Sequence, residues 1–178
     1  VPQLPAPKVF AAAGSGKIKT STTLTPGVYG EIKLNGNDKI TFNGPGIYVF
    51  KSIDNSGSNN YFEYNFQGST TGLIEIYVHE EADLDKTRTL YIGGDASRVY
   101  CEVHGTGQGK SNIAFKLKKS SGGLAGSNLW SATIYVPNGN IEIDAGTGAN
   151  KFSGAIWGGK EIRIKQNSEI AHLPLQTE

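Results

Sequence analysis

One four-residue motif occurs twice early in the chain, and its spacing limits the possible folds. Pro26-Gly27-Val28-Tyr29 returns as Pro45-Gly46-Ile47-Tyr48, an offset of 19 (45 − 26). Repeats of about twenty residues contain strands that are too short to bury an apolar face alone, so each repeat must be covered by the next. The spacing therefore predicts a solenoid of stacked coils.

A second pair of repeats near the C-terminus supports this prediction. Residues 131–135 (Ser-Ala-Thr-Ile-Tyr) match residues 153–157 (Ser-Gly-Ala-Ile-Trp) at an offset of 22 (153 − 131). Residues 141–143 match residues 162–164 at an offset of 21 (162 − 141). Only the strands of a solenoid must stay in register, so its turns can gain or lose residues. We expect coils of roughly 19–25 residues.

Apolar residues alternate with polar ones along most of the chain, at the period of two that half-buried strands show. The alternation is clearest at Ile32/Leu34, Ile40/Phe42, Ile74/Ile76/Val78, Val99/Cys101/Val103, Ile113/Phe115/Leu117, Ile141/Ile143 and Ile162/Ile164. The 24 Gly residues suit tight turns between such strands. The pattern predicts an all-β fold, a single-domain parallel β-helix that we expect to be right-handed.

The length of 178 residues is that of one ordinary domain. We expect residues 1–178 to form a single β-helix module, with a lead-in or cap at 1–16, coils at 17–170 and an exit toward a following module at 171–178. Only residues 7–13 could form a short helix, and its expected role is to cap the first coil. Cys101 lies on the inward parity of its strand, where a thiol behaves as a small apolar group.

The charges of the chain nearly cancel, with 17 Lys plus Arg against 16 Asp plus Glu and a net charge of +1. Such a chain has no summed field that would attract a nucleic acid or a membrane surface. It also contains no run of about 20 apolar residues that could form a transmembrane helix. We therefore expect neither a nucleic-acid partner nor membrane insertion.

Two parts of the chain resemble a known group of bacterial domains. Residues 23–29 (Thr-Leu-Thr-Pro-Gly-Val-Tyr) and 40–50 resemble the first coils of secreted bacterial parallel β-helix domains, and residues 132–144 and 154–165 resemble their closing coils. Such coils occur in β-helix carbohydrate-binding modules, in pilus-associated and adhesin domains, and in ice-binding domains. The resemblance covers roughly half of the chain. It implies a secreted or cell-surface location and flanking modules in a longer chain.

Aromatic residues on two neighbouring coils suggest a ligand. If Ile134 and Ile156 point inward, Tyr135 and Trp157 point outward on rungs about 4.8 Å apart. Two such rings would form a strip about one sugar unit long, and sugars present apolar C–H faces to aromatic rings. Trp130 could cover the same side, although all these rings could instead only pack against cross-strand neighbours. The same parity argument places outward Tyr29, Tyr48, Tyr77, Tyr91 and Tyr100.

The densest polar and aromatic stretch of the chain is at residues 59–66. In a strand, residues 61, 63 and 65 (Tyr, Glu, Asn) would share one face, and residues 62, 64 and 66 (Phe, Tyr, Phe) the other. Rings with nearby hydrogen-bonding groups are the usual composition of a sugar site. We therefore take Tyr61, Glu63 and Tyr64 as candidate ligand-binding residues. The alternative is a loop or edge strand packed on the flank of the solenoid.

An acidic cluster follows the predicted strand at residues 74–78. Glu80, Glu81, Asp83 and Asp85 could supply the oxygen ligands that Ca²⁺ needs, although their spacing is not that of a known calcium loop. The alternative is a solvated turn before the next strand. Two outward histidines, at positions 79 and 104, are too few for a closed zinc site. Ca²⁺ is thus the one cofactor that the sequence suggests.

These features favour a non-catalytic carbohydrate-binding module that holds a plant cell-wall polysaccharide of the xylan or cellulose class through exposed aromatic residues. The alternative is a structural or adhesive segment of a bacterial surface or pilus-associated protein. Ice binding is a minor alternative, because the Thr-rich run at residues 19–23 is local and does not form a column across coils. A polysaccharide lyase or hydrolase is another. We expect a monomer without catalytic activity of its own, attached to other modules, a glycoside hydrolase among them.

Overall fold

The protein is a solenoid of parallel β-strands in a computed structural model that describes residues 4–85, 87–107, 112–118, 130–144, 150–165 and 168–176. Three main sheets run along its length, and the chain passes from one sheet to the next at each corner. All strand pairs are parallel. Within the described ranges, no helix is long and apolar enough to span a membrane. The prediction of an all-β parallel solenoid is confirmed.

The strands are numbered β1 to β19 in chain order. Sheet A contains β1 (Lys17–Ile18), β4 (Glu31–Ile32), β7 (Ser52–Asn55), β10 (Ala82–Asp85), β13 (Ile113–Lys118), β15 (Asn140–Asp144) and β18 (Ile162–Ile164). Sheet B contains β2 (Thr22–Leu24), β5 (Lys39–Asn43), β8 (Asn60–Asn65) and β11 (Thr87–Ile92), while β16 (Asn150–Gly154) and β19 (Ser168–His172) form a separate pair. Sheet C contains β3 (Gly27–Val28), β6 (Gly46–Phe50), β9 (Ile74–Val78), β12 (Val99–Val103), β14 (Thr133–Val136) and β17 (Ile156–Gly158).

The pairing register follows one of the two sequence repeats and not the other. Tyr135 lies beside Trp157, at the predicted offset of 22 (157 − 135). Val28 pairs instead with Val49, an offset of 21 (49 − 28), so the two Pro-Gly-x-Tyr motifs are not in register. The motifs mark similar corners of successive turns, but the strands that follow them are shifted by two residues.

The turns of the solenoid also differ in length more than expected. In sheet A the offset between paired residues ranges from 14 (Ile18 to Ile32, 32 − 18) to 33 (Ala82 to Phe115, 115 − 82). The expected range of roughly 19–25 is therefore too narrow. Corner loops can lengthen at a small cost in free energy as long as the strands stay in register.

The inward residues of the three sheets form one apolar core, whose burial is the main driving force for folding. Its aromatic members are Phe42, Tyr48, Phe50, Phe62, Tyr64, Phe66, Phe115, Trp130 and Phe152. Partly buried residues that pack against it are Ile18, Tyr29, Tyr91 and Ile156. Cys101 is buried, as predicted, and burial raises the pKa of its thiol.

The parity predicted for β3 and β6 is wrong. Tyr29 and Tyr48, predicted to point outward, pack into the core, whereas their neighbours Val28 and Ile47 are 50% and 49% exposed. Tyr91 of β11 also packs against the core, so its predicted outward direction is wrong as well. The Tyr48 hydroxyl donates to the backbone oxygen of Gly44 at 2.8 Å, which satisfies this polar group at the edge of the core. Because side chains alternate with a period of two, an error of one residue inverts a whole strand.

The N-terminal segment, residues 5–13, is extended and lies along the outer face of sheet C, so the short helix predicted at residues 7–13 is wrong. Side chains of the sheet bind its backbone groups in place of helical hydrogen bonds. The backbone contacts are Tyr135 Oη to Pro5 O, Lys8 N to Glu102 Oε1, and His79 Nε2 to Ala11 O, each at 2.8 Å. The C-terminal residues return over the same face, where the backbone N–H of Gln176 donates to Ser97 O at 2.8 Å.

A buried arginine that no sequence motif indicates fixes one corner between sheets B and C. Arg98 ends a single 3-10 turn, Ala96–Arg98, that Asp95 caps. Its guanidinium lies 4.2 Å from the ring centroid of Phe66 and donates to the backbone oxygens of Ser69, Thr71, Gly72 and Gly93. Hydrogen bonds from a charged donor to carbonyl oxygens are strong, so Arg98 links the loop at residues 66–73 to the short connection that begins at Gly93.

Candidate functional site

The outer face of sheet C carries four of the aromatic residues that were predicted to point outward, and this aromatic part of the face is largely covered. Tyr77, Tyr100 and Tyr135 are 1%, 5% and 3% exposed, and they form a second apolar cluster outside the main core. The residues that pack onto this cluster include Phe10 of the N-terminal segment and Leu175 near the C-terminus. The outward direction of these rings is as predicted, whereas their exposure is not.

A fully buried carboxylate anchors the N-terminal segment to this face. Glu102 is 0% exposed and accepts hydrogen bonds from the backbone N–H of Lys8 at 2.8 Å and from the Tyr100 hydroxyl at 2.6 Å. His104 Nε2 lies 2.6 Å from the same carboxylate. Burial and the hydrogen bond to Glu102 raise the pKa of the Tyr100 hydroxyl, so this group stays protonated and donates. A buried carboxylate requires such partners, and here they come from both the sheet and the segment.

Phe10 fills an aromatic pocket on the same face. Its ring centroid is 4.8 Å from that of Tyr77 in a stacked arrangement and 4.6 Å from those of His79 and His104. The two histidines directly follow Val78 and Val103, which pair in register on neighbouring strands. They contact the N-terminal segment, which gives them a structural role on this face.

The predicted strip of Tyr135 and Trp157 does not form a flat platform. The two ring centroids are 6.3 Å apart, and the ring planes meet edge to face at 73°. The Tyr135 hydroxyl donates to Pro5 O, so the N-terminal segment lies over the ring that was expected to bind sugar. Trp157 is half-buried at the margin of the cluster.

Two further candidate residues lie in the core. Trp130 and Tyr64 are both 0% exposed, and the indole N–H of Trp130 donates to the Tyr64 hydroxyl at 2.6 Å. Burial raises the pKa of Tyr64 well above its ordinary value. Their assignment as exposed ligand-binding residues is wrong. Both faces of residues 59–66 carry rings, and the face with Phe62 and Phe66 is the one that turns inward.

Tyr61 and Glu63 lie on the outer face of sheet B, as the alternation of residues 59–66 predicts. The stretch forms β8, which is an inner strand between β5 and β11 and not an edge strand or loop. Tyr61 is half-buried and in register with Lys39 on one side and Arg88 on the other. The Arg88 guanidinium carbon lies 6.0 Å from the Tyr61 ring centroid, within reach of a cation–π interaction.

Polar side chains are held in fixed positions beside Tyr61. The Glu63 carboxylate accepts from Lys39 Nζ at 3.0 Å and from the Thr41 hydroxyl at 2.9 Å. Next to it, Asn43 and Gln67 are joined through their side-chain amides. Leu90 and Ile92 of β11 are 40% and 47% exposed on the same face, whereas the Glu63 side chain is 14% exposed. In its described part this face therefore meets solvent chiefly along β11.

The acidic cluster is divided between a turn and the outer face of sheet A. Asp83 and Asp85 lie on β10, in register with Lys116 and Lys118 of β13, and Asp83 is 3.8 Å from the Lys116 ammonium. Glu80 lies 3.9 Å from Lys51, in the turn that also contains Glu81. Among the described residues, no group of three or more His, Cys, Asp or Glu side chains is arranged to hold a metal ion. The structure therefore does not bring the four carboxylates together as the predicted Ca²⁺ site requires.

The three outer faces thus have different chemistry. Sheet A carries charge pairs, sheet C carries covered aromatic rings, and sheet B carries an open face of one half-buried ring with ordered polar groups. No protein-family description, no curated protein and no solved structure matches this chain.

Proposed function

We propose that the protein is a non-catalytic carbohydrate-binding module that holds a plant cell-wall polysaccharide of the xylan or cellulose class on the outer face of sheet B. The observation that carries this proposal is Tyr61, whose ring is half-buried on an open sheet face between Lys39 and Arg88. A partly exposed tyrosine ring can cover the apolar face of a sugar. Because such polysaccharides lie outside cells, the proposal includes a secreted or cell-surface location.

The groups around Tyr61 suit the hydroxyls of a sugar chain. Arg88 has no ion pair in the described part of the chain, so its guanidinium can donate to hydroxyl oxygens. The Glu63 carboxylate is fixed by Lys39 and Thr41 and keeps further acceptor capacity. Neighbouring rungs are about 4.8 Å apart, which lets successive rungs contact successive sugar units.

The outer face of sheet C is the competing location for the same function. Trp157 is half-buried there, but its neighbour Tyr135 is 3% exposed beneath the N-terminal segment. A sugar chain could use both rings only after displacement of that segment and loss of its hydrogen bonds. The open face of sheet B requires no such change.

Pull-down on insoluble xylan, cellulose and chitin tests the function and its location together. Wild-type protein is expected to be retained on xylan or cellulose. Tyr61→Ala should weaken retention at least tenfold, about 1.4 kcal/mol, because the stacking ring is lost. The matched control Trp157→Ala should bind as wild type does, and EDTA should have no effect. Loss of binding in Trp157→Ala alone would move the site to sheet C, and no retention of wild type on any glycan would contradict the function.

A structural or adhesive segment is the second candidate function. The last turn of the solenoid favours it, because Ile162 and Ile164 are 40% and 50% exposed there and suit contact with another protein surface. Such a segment would be retained on none of the glycans. The same pull-down therefore separates the two candidates.

A further inference from the structure

The last turn of the solenoid leaves core residues open to solvent. Ile162 and Ile164 of β18 lie in register with Ile141 and Ile143 of β15, which are fully buried. The two β18 residues are nevertheless 40% and 50% exposed, and Ile170 of β19 is 37% exposed. Solenoids normally cover the core at their ends with a capping element. This end therefore presents an apolar surface that a partner can cover.

The chain turns away from this end in the residues that the structure describes. After β19, the backbone N–H of Leu173 donates to Gly154 O at 3.1 Å, and Leu175 then packs onto the outer face of sheet C. The first turn is different, because Leu24 is only 5% exposed and the Tyr29 ring packs onto the core. A head-to-tail stack of copies would thus bring the open end against a closed one.

The exposed strand also has an unpaired edge. Ile141 N donates to Glu161 O at 2.9 Å and Lys165 N donates to Ile143 O at 2.8 Å, so residues 161 and 165 direct these backbone groups toward β15. Backbone groups of successive residues in a strand point to opposite sides, so those of Ile162 and Ile164 point to the other edge. No strand in the described ranges pairs with that edge. Such an edge is a template for pairing with another chain.

In place of the monomer expected from the sequence, we propose that β18 pairs antiparallel with β18 of a second copy of this chain, about a two-fold axis at Arg163. This register sets Ile162 opposite Ile164 of the copy, so that each such pair exchanges both backbone hydrogen bonds. The isoleucines of the two copies then cover one another. The interface is closed and isologous, which is the commonest arrangement in soluble homo-oligomers.

The charges beside the isoleucines fit the same register. Glu161 lies opposite Lys165 of the copy, and the two-fold axis repeats this pair on the other side. Arg163 lies opposite its own copy, but each guanidinium is already paired with Glu161 of its own chain at 2.7 Å. The seam therefore has one pair of opposite charges on each side of the axis, although Lys165 is also paired with Glu142 of its own chain at 3.1 Å. The apolar pairs distinguish the registers, because a shift by two residues would no longer set both isoleucines of each strand opposite isoleucines.

The mass of the protein in solution, measured by light scattering from about 1 to 100 μM, is the first test. Wild-type protein is expected to be a dimer, and Ile164→Lys, which places a charge in the seam, a monomer. The matched control is Ile47→Lys, since Ile47 is equally exposed at 49% on sheet C, and it should remain a dimer. A monomeric wild type, an open filament, or a folded Ile164→Lys that stays dimeric would overturn the proposal.

Cysteine cross-linking tests the register without relying on the folding of Ile164→Lys. Directly opposed residues of a non-hydrogen-bonded antiparallel pair have Cα atoms about 4.5 Å apart, within the range of a disulfide. Arg163→Cys should therefore give a covalent dimer under mild oxidation, whereas Ile47→Cys should not. Cys101 is buried and does not compete. Failure of Arg163→Cys to cross-link, or cross-linking through Ile47→Cys, would contradict a two-fold axis at Arg163.

Discussion

The outer faces of sheets C and A both consist of outward side chains, yet the aromatic part of sheet C is covered while the ion pairs of sheet A meet solvent. On sheet C, Tyr77 and Tyr135 are 1% and 3% exposed because segments near both termini lie over them. On sheet A, Lys33 and Asp54 form an ion pair at 2.7 Å with half of each side chain exposed. Strand parity therefore determines the direction of a side chain, whereas segments distant in sequence determine whether it is exposed to solvent.

Covered and solvent-exposed polar contacts contribute differently to the free energy of unfolding. Polar groups beneath a covering segment lose their contacts with water and must be hydrogen-bonded within the protein. Removing one partner therefore lowers the free energy of unfolding. An exposed ion pair only replaces contacts that its two charged groups would otherwise make with water, so it contributes little to the free energy of unfolding. Substitutions on sheet C should therefore change stability much more than substitutions on sheet A.

Glu102→Ala should give the largest effect. The substitution leaves the Lys8 N–H and the Tyr100 hydroxyl without their acceptor in a covered site. We expect the free energy of unfolding, measured by urea denaturation, to fall by about 3 kcal/mol. Glu102→Gln should lose less, because the amide oxygen can still accept one of the two bonds. A loss under about 1 kcal/mol for Glu102→Ala would mean that the cover is not held by this carboxylate.

Phe10→Ala should release the N-terminal segment with a smaller loss of stability. The ring leaves a pocket formed by Tyr77, His79 and His104, at an expected cost of about 2 kcal/mol. Trypsin should then cleave after Lys8 faster than in the wild type. The adjacent Val9→Ala is the matched control, because Val9 is fully exposed and should change neither rate nor stability. Equal cleavage rates in Phe10→Ala and wild type would show that the segment is held by other contacts.

The strands were predictable from the sequence because they depend on local alternation. Residues 59–66 show this, since β8 has the predicted two faces. The register of Tyr135 and Trp157 was also predictable, because the two turns involved have nearly equal lengths. Alternation alone does not say which face turns inward when both carry rings, and so Tyr64 was assigned to the wrong side.

The cover over sheet C could not be predicted from local patterns. The Tyr135 hydroxyl bonds Pro5, 130 positions away in the chain, and Lys8 bonds Glu102 across 94 positions. No sequence motif at either residue of these pairs indicates which residue it contacts. Of the candidate ligand-binding residues, Tyr61 and Glu63 were correctly predicted on the outer face of sheet B. Their direction follows from local alternation, and none of the described segments covers this part of the sheet.

Asp83→Asn should give the smallest effect, and the size of this effect should depend on pH. Burial is the largest influence on the Asp83 carboxyl and raises its pKa above the ordinary 3.8, despite the nearby Lys116. A carboxyl with a raised folded-state pKa adds stability below its unfolded pKa and loses it as pH rises through the folded pKa. Asp83→Asn should therefore raise the melting temperature slightly at pH 7, and the difference should shrink toward zero near pH 3.5.

Asp54→Asn provides the opposite case on the same face. Asp54 is more exposed and pairs directly with Lys33, whose pKa is raised by that hydrogen bond. Removing this carboxylate should lower the melting temperature slightly at pH 7, and the loss should be reduced by salt, which screens exposed pairs. If both substitutions lowered the melting temperature at pH 7, burial would not be the dominant influence on the pKa of Asp83. The outer face of sheet A would then behave as uniformly solvated, and its contrast with sheet C would be sharper than the partial burial of Asp83 suggests.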